Sequence, residues 1–153
     1  MVKHLQGRKM ATHHKVKVWT FPGSTNNDMK EYIKPILNRK PEEIILHIGT
    51  NSLSSLDPAS CANEIIQLGK TIKEAQVQTT ISGIITRTDN PVLDRKAKEV
   101  NILLNDQCTG NGLSFVDHNN IIVNDHLNRS GLHLNKQVTR QFVINFINHF
   151  RSS

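Results

Sequence analysis

Three short polar stretches hold the side chains in this sequence best suited to acyl-transfer or general-base chemistry. Phe21-Pro22-Gly23-Ser24-Thr25 contains a glycine that permits a tight turn and can aim a backbone N–H into a crevice. Ile48-Gly49-Thr50-Asn51-Ser52 offers the side-chain amide of Asn51 to a developing oxyanion, an interaction of large weight in acyl transfer. Ser130-Gly131-Leu132-His133-Leu134-Asn135 presents the imidazole of His133 as a general base. Each stretch also has a plain reading: a strand-to-helix turn, an asparagine turn and a structural histidine. Their places relative to the surrounding elements make them a joint pattern.

Those elements alternate short β-rich runs with longer segments of helical spacing, the pattern of βα units feeding a parallel sheet. Strands are expected at Val16 to Thr20, Ile44 to Ile48, Thr79 to Ile85 and Leu113 to Val116, whose near-continuous Val, Ile and Leu content suits strands covered on both faces. Helices are expected at Asn27 to Asn38, kinked or shortened by Pro35; from Pro58, capped by Asp57, to about Gln76; at Asp94 to Cys108; and at Asn135 to Phe150. The three polar stretches then follow strands or precede the last helix. That is the carboxyl edge of the sheet, where open α/β folds bind ligands.

With 153 residues, 37% hydrophobic and 21% charged, the chain has the material for one ordinary globular domain, and residues 1–153 are read as such. No apolar run reaches the ~18 to 20 residues of a membrane helix, and Met1 to Met10 lacks the apolar core of a signal peptide, so an intracellular, cytoplasmic protein is expected. Cys61 and Cys108 match no zinc spacing and are too few for a disulfide framework; buried or idle thiols in a reducing compartment are expected. The eight histidines show no ligand spacing, and no metal or other cofactor is expected. The formal charge of +6 is concentrated in residues 1–40, with nine Lys or Arg against two acids. A basic surface of that kind can attract nucleic acid or an anionic membrane face, though only seven aromatic residues are available for stacking and a solvated face also explains it.

"FPGST", "IILHIGTNSL" and, some eighty residues later, "SGLHLN" together resemble the SGNH or GDSL hydrolase family, including the esterase-like domains of animal retroelement-derived proteins. The resemblance spans nearly the whole chain. It implies a three-layer α/β/α flavodoxin-like fold, with Gly23 and Asn51 as oxyanion-hole donors, His133 as the catalytic base and a small ester or acyl compound as ligand. The family's serine, in a Gly-Asp-Ser motif at the end of the first and central strand, is absent from this sequence. "MVKHLQGRKM" resembles the helix that directly follows that motif, so the domain is expected to be incomplete at its N-terminus and to lack the central strand. Ser130 stands where the family usually has the aspartate that orients the imidazole; Asp117 or Asp125 could replace it, and both also suit loop capping. Ser52 stands where many members have Asp.

Ser24, Ser52, Ser54 and Ser55 lie near strand ends, but none has the strand-to-helix elbow that exposes a nucleophile. The sequence therefore reads as a hydrolase-like domain without its nucleophile, serving as a binding module or persisting as a relic. A serine esterase whose true start lies upstream is the alternative, and a nucleic-acid-associated domain a weaker one. In the resembling fold the strand order is 2-1-3-4-5. Without strand 1, either the Val16 strand moves over to pair with the Ile44 strand or an unfilled slot remains, and both cost stability. Oligomeric state is not encoded in any motif.

Overall fold

The computed structural model describes residues 15–121 and 136–152. Three parallel strands, β1 (Glu43–Leu46), β2 (Gln78–Ser82) and β3 (Ser114–Val116), form one sheet in the order β1-β2-β3, with Ile44 opposite Thr79, Leu46 opposite Ile81, and Ile81 opposite Phe115. Helices cover both faces: α1 (Asn26–Tyr32), α2 (Lys34–Leu37), α3 (Pro58–Glu74), α4 (Pro91–Gly110) and α5 (Lys136–Ser152). This is the α/β architecture with a parallel sheet that the sequence led us to expect.

Strand alternation sorts the core into two. Ile44, Leu46 and Ile81 share a cluster with Met29 and Ile33 of the α1–α2 segment, Ile65, Ile66, Leu68 and Ile72 of α3, and Ala97, Val100 and Leu104 of α4. The opposite face contributes Ile45 and Val116 to a smaller cluster with Val138, Phe142 and Phe146 of α5. That second face is the polar one on β2, where Thr80 and Ser82 point toward α5.

Helix starts follow their caps. Asp57 accepts from the Ser60 N–H at 2.9 Å, with Pro58 in the first turn, as expected. α4 begins at Pro91 rather than at Asp94, because Asn90 accepts from the N–H groups of Val92 and Leu93 and Pro91 supplies a preset φ. Asn90-Pro91 is thus the same start signal as Asp57-Pro58. The helix expected over Asn27 to Asn38 is two pieces, α1 and α2, divided at Ile33; Pro35 has no N–H to give the Glu31 carbonyl.

Two strand expectations are corrected. β2 ends at Ser82 and not at Ile85, because the side chain of Asn101 on α4 takes over the ladder: its Oδ1 accepts from Ile84 N–H at 2.7 Å and its Nδ2 donates to the Ile84 carbonyl at 2.8 Å. Val16 to Thr20 is not a strand. In the expected topology its neighbour would be the central strand, and no described residues occupy that place beside β1. The segment keeps a strand's two-residue alternation through its side chains alone: Val16 and Val18 pack against the α5 cluster, while Lys15, Lys17 and Trp19 face out. Packing without a ladder holds it in place.

The two faces of α4 supply a direct check on this packing. Leu104 is 0% exposed and Ile102 is 63% exposed. Leu104→Ala is expected to cost about 2 to 5 kcal/mol and Ile102→Ala less than about 0.5 kcal/mol, read as shifts in the urea midpoint.

Candidate functional site

The two glycine-bearing loops meet at the carboxyl edge. Gly23 has φ +78°, which lets the chain turn between the Trp19 segment and α1, where Thr25 and Asp28 form a reciprocal capping box. Gly49, just after β1, has φ +112°, and a methyl group there would come within 2.6 Å of Ile84 Cδ1 and 3.1 Å of Ile65 Cδ1. This position therefore needs glycine for both conformation and space. The turn it makes brings Asn51 beside the Gly23 loop, and Asn51 Nδ2 donates to the Ser24 carbonyl at 2.9 Å. The N–H of Asn26, next to that loop, donates to the buried Ser52 hydroxyl at 2.9 Å. These two bonds tie the loops together.

A third loop reinforces the pair. Arg87 makes a two-pronged bond to Asp89, which holds the Asp89 carboxyl below its ordinary pKa, and its Nη1 donates to the Thr50 carbonyl at 3.3 Å. Asp94 at the start of α4 accepts from the Arg87 N–H and the Thr86 hydroxyl. Gly23 and Asn51 thus stand on adjacent, cross-braced loops. Asn51 uses one amide hydrogen on Ser24, and the Gly23 N–H has no partner among the described residues.

The remaining expected site residues divide. His133, Ser130 and Asp125 lie outside the described residues. Asp117 is described, and its carboxylate accepts from Asn119 N–H at 2.7 Å and Asn119 Nδ2 at 2.6 Å, so it caps its own loop. Ser54 and Ser55 donate to the carbonyls of Asn51 and Ser52, as turn residues do. Among the described residues no group of three His, Cys, Asp or Glu side chains is arranged to hold a metal, and no helix is long and apolar enough to cross a membrane. A shallow cavity of about 300 Å³, lined by Lys73, Gln76, Gln78, Gly112 and Ser114 among others, lies at the opposite, amino edge of the sheet and belongs to none of these loops.

Sequence reasoning missed the most connected polar group. Ser82 ends β2 beneath α5, bonded at 2.8 Å to His118 Nε2 and at 3.0 Å to His47 Nδ1, while Asn145 Nδ2 lies 2.9 Å from His118 Nδ1. Hydroxyl, imidazole and amide stand in the order of a nucleophile triad. The proton directions differ, however. The Asn145 amide nitrogen has only protons to offer, so His118 Nδ1 accepts, its proton sits on Nε2, and Nε2–H donates to Ser82. Ser82 also bonds His47 Nδ1, in a direction that the His47 tautomer sets. A base must accept from the hydroxyl, and here it donates. Ser82 is also only 1% exposed and His118 5%, with Phe142 and Phe146 against the His118 ring at centroid distances of 4.6 and 5.5 Å. The group is a buried relay of hydrogen bonds. Its one available signal was a His directly after β1 and a His two residues past the end of β3.

No family model and no curated protein matches this sequence. Solved structures do. A GDSL-like lipase from Bacteroides thetaiotaomicron superposes with a TM-score of 0.72 at 13% identity, over 85% of this chain and 72% of that one. A member of the lipolytic G-D-S-L family from Veillonella parvula gives 0.73 at 16% identity, over 86% and 77%. The psychrotrophic esterase EstA from Pseudoalteromonas, in a structure inhibited by monoethylphosphonate, gives 0.69 at 15%, over 85% and 73%. The fold of this chain is the one those GDSL-type hydrolases have.

The relay fixes a pH dependence. Burial pushes His118 down to about 4; burial first, then the neighbouring His118, pushes His47 down to about 3. Both are protonated more readily unfolded than folded, so acid favours unfolding. The stability they contribute is complete above about pH 6.5 and is lost on acidification through a window that ends at about 4 for His118 and about 3 for His47, at up to ~1.4 kcal/mol per pH unit for each imidazole. The urea midpoint is expected to fall clearly between pH 7.5 and pH 5; equal midpoints would contradict the buried neutral pair.

Proposed function

We propose that this chain is an SGNH or GDSL hydrolase-like domain that acts without catalysis, as a binding module for a small ester or acyl compound or as a relic of the kind carried by retroelement-derived proteins. One combination carries the reading: the loops of Gly23 and Asn51 are braced together as oxyanion-type donors would require, while the 153 residues contain no Gly-Asp-Ser. The hydroxyls of Ser82 and Thr80, which do bond imidazoles, are buried. Neither can meet a substrate carbonyl without moving α5. His133 remains the family-based choice for a base, with Ser130, Asp125 or Asp117 as the choices for a residue that orients it.

Cys61 and Cys108 support a reducing, intracellular setting: both are free and buried, and burial raises the pKa of each, that of Cys108 to about 11. The alternative is a serine esterase whose Gly-Asp-Ser block lies upstream of Met1; the second Asn51 amide hydrogen and the Gly23 N–H, which have no partner among the described residues, suit either reading. The upstream nucleotide sequence separates the two. An in-frame Gly-Asp-Ser string supports the esterase, and an in-frame stop ends it.

The 153-residue chain is expected to give no turnover of a short-chain aryl ester above background and no labelling by a serine-directed phosphonate. Stoichiometric labelling, abolished by changing one of its own serines, would overturn the non-catalytic reading.

A further inference from the structure

The segment before the Gly23 loop carries a feature that acyl chemistry does not use. Lys15, Lys17 and Trp19 alternate outward along it. Lys17 Nζ lies 4.1 Å from the Trp19 ring centroid, and the Arg39 guanidinium, arriving from the end of α2, lies 4.9 Å from it. Trp19 is nevertheless 38% exposed. Lys40, exposed, follows Arg39 in the left-handed region at φ +49°. Phe21 and Tyr32 stack nearby in the chain, with centroids 4.9 Å apart and planes 13° from parallel. Over residues 15–40 there are six Lys or Arg and two acids, and each acid has a local partner: Asp28 caps α1 with Thr25, and Glu31 pairs with Lys34.

We propose that this face, built on Lys15, Lys17, Trp19, Arg39 and Lys40, binds single-stranded nucleic acid. The cations take backbone phosphates, and the Trp19 ring, held among them, accepts a base. The character of the exposed apolar surface decides between polyanions. The large exposed hydrophobics among the described residues are Trp19, Tyr32, Val92 and Ile102; the latter two lie on α4, so only aromatic groups accompany this basic cluster. Stacking platforms combine aromatics with cations in this way, whereas membrane-surface elements also expose aliphatic side chains to the acyl boundary. The proposal is independent of the esterase-like loops, none of whose groups it uses.

Trp19 is the sole tryptophan of the chain, so intrinsic fluorescence reports on this face alone. The test is titration of the 153-residue protein with a thymidine oligonucleotide of about 12 nucleotides, within the usual site sizes for such surfaces. Binding should quench Trp19. Affinity should fall with salt at a log–log slope of about −2 to −3, for three or four phosphate contacts on a single strand. Read by the anisotropy of a fluorescein-labelled oligonucleotide, since these variants lack the tryptophan, Trp19→Ala should weaken binding at least about fivefold and Trp19→Phe much less; Lys17→Ala with Arg39→Ala should flatten the slope by about 1.4. An abasic oligonucleotide of the same length, tested on the parent protein, should bind more weakly and quench less. Equal binding of abasic and base-bearing strands, binding without a change in Trp19, or capture of phosphatidylserine vesicles with no oligonucleotide binding would each overturn the proposal.

Discussion

One hydroxyl constrains much of this molecule. Ser82 sits at the end of the middle strand with its side chain on the face that α5 covers, and a buried hydroxyl without partners costs on the order of 1 to 3 kcal/mol. Its neighbours are chosen accordingly. His47 follows β1, His118 follows β3 and Asn145 comes from α5, so a single chain of bonds joins all three strands to the last helix. One position back on the same face, Thr80 donates to Glu43 at 2.6 Å, and His149 of α5 lies 2.8 Å from the same carboxylate oxygen. Two residues along a strand span about 6.6 Å and four along a helix about 6 Å, so Asn145 and His149 match Ser82 and Thr80 in pitch. The inward stripe of α5 is therefore apolar at Val138, Phe142 and Phe146 and polar where the strand beneath it is polar.

The opposite face works by a different rule. There Ile44, Leu46 and Ile81 meet the apolar stripes of α3 and α4, and burial alone suffices. The carboxyl-edge loops rest on this side: Gly49 lies against Ile84 and Ile65, and Lys96 on α4 donates to the carbonyls of Leu53 and Leu56. A rigid apolar layer under braced loops holds Gly23 and Asn51 in fixed relation. The fold it shares with GDSL-type lipases and esterases, at identities of 13 to 16%, is a likeness of framework rather than of side chains.

Much of the framework was legible because its signals are local. Asp57-Pro58 marked α3, and the spacing of Val138, Phe142 and Phe146 marked the inward stripe of α5. The loops of Gly23 and Asn51 stood out by their position after β-rich runs, and the structure does bring them together. What escaped were long-range substitutions of one partner for another. Asn101 replaces a strand for Ile84, which no reading of residues 79 to 85 reveals. Val16 to Thr20 has a strand's composition but no ladder partner among the described residues, so composition alone misassigned it. The Ser82 relay joins residues 35, 36 and 63 positions from Ser82 in the chain, a distance over which no sequence pattern operates.

With the His118 proton on Nε2, the buried Ser82 hydroxyl accepts from the imidazole and serves structure rather than nucleophilic attack. Long-range ¹H–¹⁵N correlation spectra of the imidazoles measure this directly. They should show His118 neutral in the Nε2–H form at pH 7 and still neutral at pH 5. A His118 with its proton on Nδ1, or one that titrates near 6.5, would contradict it.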